Sequence, residues 1–221
     1  MAISGGMNQG FPKMMYALRN CLAAVVLVGV ATPARQAATS QQGSHATPVA
    51  QQIVLSVDPA KSTVHWSVES SLHTVHGTFH VKRGTVSVDP ATGKASGEIV
   101  VDATSGESGN NARDRRMRKE ILESNQYSEV VFRPDRADGT IVQLGNSNLK
   151  LHGIFSLHGA DHELDVSTQA TLKEDQWKGT AAFAVPYVEW GLKNPSNFLL
   201  KVKPVVDVEL DLAGSVWSEA R

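Results

Sequence analysis

Histidine is the residue type whose number and spacing in this chain most suggest chemistry, because the sequence contains eight of them. His76 and His80 are four residues apart in a segment of strand character, so their side chains would lie on one face. A zinc or copper site needs three or four ligands that converge on the ion, and spacing along a strand does not establish convergence. The pair is therefore a weak candidate metal site, and two exposed histidines are the ordinary interpretation.

Arginines form a second cluster with chemical potential, in the segment NARDRRMRKE at 111–120. At the rim of a binding site, Arg115, Arg116 and Arg118 would meet a lipid pyrophosphate or an anionic membrane surface. A solvated helix face with local ion pairs is the competing interpretation. These three residues are therefore candidates for contact with a charged headgroup.

Signatures of catalysis are absent from the sequence. It contains no G-x-S-x-G elbow, no HExxH, no Walker A loop and no G-x-G-x-x-G. The single cysteine, Cys21, lies in the N-terminal segment and excludes an internal disulfide. We expect a protein that is not an enzyme, with no catalytic residues and no cofactor.

The N-terminal segment has the layout of a secretory signal. An apolar run at 21–31 follows two basic residues and precedes small residues and Pro33, and cleavage is expected within 31–38. The run is shorter than the roughly 20 apolar residues that span a bilayer, which disfavours an uncleaved membrane anchor. We predict a signal peptide at 1–38 and a periplasmic or secreted mature protein.

The rest of the chain fits one ordinary soluble domain. Residues 39–52 are small and polar without a hydrophobic period, which predicts a flexible linker ahead of a domain at 53–217. The formal net charge is -1 and 41% of residues are hydrophobic, and nothing in this composition suggests binding to nucleic acid.

Period-two alternation of apolar and polar residues dominates the domain, most clearly at 149–157, 164–172 and 206–212. Successive strand side chains point to opposite faces, so these runs predict strands with one dry and one wet face. About eight strands are expected, the number that closes a barrel around a small ligand or a filled core, although a sandwich also satisfies the alternation. Met117, Ile121 and Leu122 recur instead at helical spacing, which predicts one short helix in a connecting loop.

Four motifs carry a resemblance to a known family: VHGTFHVKRGTVSVDPATG at 75–93, VDATSGESGNNARD at 101–114, LKLHGIFSLHGADHELDV at 149–166 and VPYVEWGLKN at 185–194. The chain resembles the YceI-like family of secreted, lipocalin-like bacterial proteins that are described as polyisoprenoid binders. The resemblance implies an all-β fold, a single antiparallel eight-stranded lipocalin-like barrel with a short helix and a long loop near its mouth. It also implies that Arg113 and Asp114 fix the start of the helix.

An apolar bore could bind a prenyl chain without a charged anchor, because each buried CH₂ contributes about 0.8 kcal/mol. The predicted wall consists of apolar members of the alternating runs and of the helix: Trp66, Phe79, Val81, Ile99, Val101, Met117, Ile121, Phe132, Leu151, Phe155, Val166, Phe183 and Trp190. The competing interpretation is that these side chains pack against one another as a solid core.

Two functions of different classes follow. The first is non-enzymatic binding or transport of a long-chain isoprenoid lipid, polyprenyl or quinone-like, in the periplasm, with transient contact to a membrane surface, by a monomer or a dimer. The alternative is a metal-binding or stress-related periplasmic module with a filled barrel core and a histidine-rich rim.

Overall fold

The computed structural model describes residues 51–220. The predicted signal peptide at 1–38 and residues 39–50 of the predicted linker lie outside the described residues. The first strand begins at Gln51, so the last two residues of the predicted linker belong to it.

The described chain consists mostly of strands, with a single short α-helix. The helix, α1, covers Asn111–Arg116 and continues into a π-helical turn at Met117–Ile121, and 3-10 turns occur at Pro59–Lys61 and Ala103–Ser105. The strands are β1 (Gln51–Val57), β2 (Thr63–Glu69), β3 (Thr74–Val88), β4 (Ala95–Asp102), β5 (Glu129–Gly139), β6 (Gly145–Leu157), β7 (Ala160–Lys173), β8 (Gln176–Val185) and β9 (Val206–Ala220). Within residues 51–220, no helix has the length and hydrophobicity needed to cross a membrane.

The strands form one closed antiparallel barrel. Strands β3 to β9 pair with their neighbours in chain order, and both β1 and β2 bridge β3 to β9 at different heights. On β1, Leu55 lies opposite Val86 and Val216, whereas on β2, Trp66 lies opposite Gly77 and Val208. The two strands therefore share one strand position of the barrel, and residues Asp58–Ser62 lie between them. The prediction of an eight-stranded antiparallel barrel with one short helix is confirmed, and a sandwich is not formed.

A β-bulge in β3 explains an interruption of the alternating pattern. The register to β4 shifts between Val81 and Arg83, so Lys82 and Arg83 are both exposed while Val81 and Gly84 are buried. An added residue of this kind restores the apolar side chains that follow to the inner face. It also directs Lys82 Nζ and Arg83 Nη1 to one carboxylate, Glu129 Oε1, at 2.7 and 3.0 Å.

This ion pair predicts a pH dependence of stability. Hydrogen bonds from Lys82 and Arg83 lower the pKa of Glu129 from 4.5 to about 2. Because the unfolded chain takes up the proton first as the pH falls, this contribution to the free energy of unfolding is complete above about pH 4.5 and is lost towards pH 2. Denaturant titrations should show Glu129→Gln less stable than the wild type at pH 6 and nearly equal to it at pH 2.

The effect should be modest, because ion pairs near the surface are screened by solvent. Glu163→Gln is the matched control, since Glu163 is an exposed carboxylate on the outside of β7. It should change the free energy of unfolding little. A difference for Glu129→Gln that stays constant from pH 6 to pH 2 would contradict the assignment.

The two ends of the barrel differ in their connections. The turn end carries the short connections at 89–94, 140–144 and 174–175. The helix end carries the β2–β3 turn at 70–73, the helical β4–β5 connection, the two-residue β6–β7 turn and the long β8–β9 connection at 186–205. The larger and more irregular surface therefore lies at the helix end, where the family resemblance implied a long loop and a short helix.

Candidate functional site

A cavity of about 620 Å³ occupies the bore of the barrel. All nine strands contribute to its wall, and so do the helix, its π-helical turn and the β8–β9 connection. Ligand pockets commonly fall between about 300 and 1,000 Å³. The barrel core is thus not filled by its own side chains. The alternative function required a filled core.

The wall follows directly from the alternation in the sequence. On β8, Ala181 and Phe183 line the cavity, whereas Ala182 and Ala184 between and beyond them are exposed to solvent. Phe183 meets Phe155 of β6 edge to face, with ring centroids 5.7 Å apart. The inner surface is therefore built of hydrocarbon and aromatic faces on almost every strand.

Trp177 closes the bore at the turn end. Its ring is buried and packs with Ile53, Val57 and Leu172, while it also contributes to the cavity wall. Its Nε1 donates a hydrogen bond to the Ser56 carbonyl oxygen at 3.0 Å. The indole therefore joins β8 to β1 and satisfies its own polar atom, as buried tryptophans usually do.

The helix supplies the wall at the opposite end. Asn110 caps it, because its side chain accepts from the backbone N–H groups of Ala112 and Arg113 at 3.1 and 3.0 Å. The π-helical turn that follows is closed by a bond from Leu122 N to Met117 O at 2.9 Å. Met117 and Leu122 both line the cavity, so a wider helical turn of a kind frequent at functional sites faces the bore.

Charge reaches the cavity only at this end. Among the described residues that line the cavity, Arg113 and Arg116 carry the only guanidinium groups, and no carboxylate lines it. Arg113 is held by the loop before the helix, since it donates to Ser108 Oγ at 2.7 Å and to Ser108 O at 2.8 Å. Buried Asp114 accepts from the same hydroxyl, so this pair orders the helix start.

Arg116 and Arg118 differ in how they are bound. Arg118 donates to the Gly106 carbonyl oxygen at 2.9 Å, which makes it part of the loop structure. Arg116 is exposed and forms only a helical pair with Glu120, at 3.1 Å. Arg116 is therefore the cation at the cavity that is best placed to exchange its partner for an anionic group.

The β8–β9 connection completes the wall at the helix end. Tyr187 lines the cavity and donates its hydroxyl to the Lys203 carbonyl oxygen at 3.0 Å. Burial raises the pKa of the Tyr187 phenol, so it remains a neutral donor. Leu192, Leu200 and Val202 of the same connection also line the cavity. The arrangement can enclose a hydrocarbon chain and place a polar group near Arg116.

The YceI-like domain model matches residues 55–213, which is most of the chain and all but the outermost parts of the barrel. The chain belongs to the YceI-like family. No curated protein matches this sequence.

Solved structures share the fold of this YceI-like barrel. Burkholderia cenocepacia BcnA has a TM-score of 0.58 at 16% identity, over 72% of this chain and 99% of that one. A polyisoprenoid binding domain from Saccharophagus degradans, implicated in plant cell wall breakdown, has a TM-score of 0.53 at 16% identity, over 78% and 99%. The Campylobacter jejuni YceI protein has a TM-score of 0.50 at 9% identity, over 60% and 79%. At these identities the likeness concerns the fold.

Eleven of the thirteen predicted wall residues lie along the cavity of the YceI-like barrel: Trp66, Phe79, Ile99, Val101, Met117, Ile121, Phe132, Leu151, Phe155, Val166 and Phe183. Val81 does not, because it is buried among Ile53, Val57 and Val64 beside the bulge. Trp190 does not line the cavity either, and its ring packs on Phe155 and is stacked on His162 with centroids 4.1 Å apart. Their role in binding a ligand stays a prediction.

Several wall residues were not predicted. Tyr187, Leu192, Leu200 and Val202 lie in a connection without periodicity, so no pattern indicated which of its residues face inwards. Trp177 and the apolar residues of β9 did carry the alternating signal, which could have placed them on the wall.

The histidines of residues 51–220 are not gathered into a cluster that could hold a metal ion. His76 and His80 are both exposed on the outside of β3. Across residues 51–220, no group of three or more His, Cys, Asp or Glu side chains is arranged to hold a metal ion. Three histidines instead contact single carboxylates, in the pairs His65–Asp211 at 3.4 Å, His152–Asp135 at 2.8 Å and His158–Glu123 at 3.0 Å.

Proposed function

We propose that this YceI-like barrel binds a long-chain isoprenoid lipid in its bore and carries it through the periplasm without catalysing a reaction. The observation that carries the proposal is the cavity of about 620 Å³, whose wall is mostly apolar and carries guanidinium groups only at the helix end. The name of the Saccharophagus degradans domain, a polyisoprenoid binding domain of the same fold, supports the same ligand class.

The energetics favour a chain over a compact polar ligand. Each buried CH₂ contributes about 0.8 kcal/mol, so about ten enclosed carbons give about 8 kcal/mol before the costs of association. Affinity then rises with the length of enclosed chain rather than with polar contacts. The polar end of the lipid, a hydroxyl, phosphate or quinone ring, would lie at the helix end near Arg116.

The cellular setting follows from the predicted signal peptide at 1–38, whose removal would release the barrel into the periplasm or the medium. A carrier of this kind takes up and delivers its lipid by transient contact with a membrane. The closed barrel has no free sheet edge that would demand a partner, and both a monomer and a dimer are compatible with it.

Native mass spectrometry tests the proposal. The full chain is expressed so that it is exported, and the protein is purified from the periplasm without detergent. A stoichiometric hydrophobic adduct of polyprenyl mass after organic extraction is the expected result. Geranylgeraniol, a C20 prenyl alcohol, should also bind and change the fluorescence of Trp66 and Trp177, which both line the cavity. A protein that carries only a metal increment and does not bind geranylgeraniol would overturn the proposal.

A further inference from the structure

The most exposed large hydrophobic side chains of the described residues lie on two loops at the helix end. Phe198 is 94% exposed, Leu199 84% and Leu72 73%. Leu72 belongs to the β2–β3 turn, and the other two belong to the β8–β9 connection. We refer to Leu72, Phe198 and Leu199 as the apolar tip. Folding does not explain its composition, because none of these side chains is buried.

Hydrogen bonds join the two loops that carry the apolar tip. Ser71 N donates to the Lys201 carbonyl oxygen at 2.8 Å, and Lys201 N donates to Ser71 Oγ at 3.2 Å. Asn197 Oδ1 accepts from the backbone N–H groups of Leu199 and Leu200 at 2.9 and 2.8 Å, which fixes the turn. The exposed side chains are therefore presented by an ordered pair of loops.

The apolar tip borders the cavity. His73 and Leu200 line the cavity, and each is the immediate chain neighbour of an exposed residue, Leu72 and Leu199 respectively. Ser70 and Val202, which form a bridge between the two loops, line it as well. The apolar tip and the cavity wall are therefore adjacent at this end.

Charge around the apolar tip suits an anionic surface. The β8–β9 connection contains three lysines and one glutamate, and two of these lysines, Lys193 and Lys203, pair with Glu123 and Glu69. Exposed Arg115, Arg116 and Lys119 lie on the helical β4–β5 connection. At the turn end, the β7–β8 connection consists of Glu174 and Asp175. Lysine and arginine side chains near a membrane surface are attracted to anionic lipids, whereas two adjacent carboxylates are repelled by them.

We propose that the apolar tip inserts into the headgroup region of an anionic lipid bilayer and places the helix end of the bore against the membrane. Lipid cargo then passes between bilayer and bore without crossing water. The inference rests on the proposed function for its purpose, but docking itself requires no cargo. Partial insertion of a few exposed apolar side chains, with nearby cations, gives reversible binding of the kind a carrier needs.

Co-sedimentation with vesicles of phosphatidylethanolamine and phosphatidylglycerol, free of isoprenoid, tests docking. We expect Phe198→Ser with Leu199→Ser to lower the partition coefficient at least tenfold, and vesicles of phosphatidylcholine alone to bind the wild type more weakly. The matched control is Leu144→Ser, because Leu144 is 67% exposed in the β5–β6 connection at the turn end. This control should bind as the wild type does.

A second measurement separates docking from cargo binding. The Phe198→Ser, Leu199→Ser variant should bind geranylgeraniol in solution with wild-type affinity but extract it from vesicles at least tenfold more slowly. Docking without geranylgeraniol binding would sink the proposed function and leave the docking surface standing. Co-sedimentation of the double variant at the wild-type level would overturn the docking surface. If the wild type were a dimer, and the double variant were a monomer that still bound vesicles as the wild type does, the apolar tip would be a dimer interface instead.

Discussion

Ala181→Phe should weaken the binding of geranylgeraniol about 30-fold while the barrel remains folded. Ala181 lies on the inner face of β8, opposite Thr168 of β7 and Leu210 of β9, and all three line the cavity. A phenyl ring at this position would occupy space that the ligand otherwise fills. Displacing two or three prenyl carbons removes about 2 kcal/mol of burial, which corresponds to about 30-fold in Kd.

The neighbouring residue provides the control. Ala182→Phe adds the same ring to the same strand, but Ala182 is exposed on the outer face of β8. Its Kd for geranylgeraniol should equal that of the wild type in a fluorescence titration. Thermal unfolding of Ala181→Phe should show no large loss, because the added ring enters an existing cavity rather than a filled core. Equal ligand affinity for the two variants would show that the bore does not hold the lipid.

Alternation along the strands was sufficient to predict the strands and much of their inner face, because burial of one face imposes period two on the sequence. The choice of a barrel over a sandwich came from the resemblance to the YceI-like family. The bulge in β3 marks the limit of reasoning from alternation. Val81 satisfies the inward pattern, but it packs beside the bulge into the core cluster with Val57 and Val64 and not along the cavity. Such a shift of one residue depends on the partner strand, which the local sequence does not specify.

Two further features depend on contacts between distant segments. The wall contributed by Tyr187 and Leu192 arises because the β8–β9 connection folds over the helix end, and its sequence has no period. Whether the bore is filled or open depends on how the inward-facing side chains of all the strands pack against one another. The residue types alone do not determine this packing. The apolar tip is equally a tertiary feature, since hydrogen bonds between Ser71 and Lys201 bring its two loops together.

The largest loss of stability is expected from Trp177→Ala. Truncating a buried aromatic side chain usually costs about 3–5 kcal/mol, because packing is lost and a cavity remains. The hydrogen bond from Trp177 Nε1 to Ser56 O is lost as well. At this point β1 and β9 lie so close together that a Cβ at Gly214 would be 1.8 Å from the same oxygen. The free energy of unfolding from urea titrations should fall by at least about 3 kcal/mol.

Two variants show whether this loss reflects closure of the bore at the turn end. Trp177→Phe keeps most of the ring contacts and loses the hydrogen bond, so it should cost only about 1–2 kcal/mol. Trp217→Ala removes an indole from β9 whose Nε1 contacts only Glu219 on its own strand, at 3.2 Å, and it should change stability little. If Trp217→Ala lowered the free energy of unfolding as much as Trp177→Ala does, the contacts of Trp177 between β8 and β1 would not explain the loss. The loss of any tryptophan at this end would then account for it.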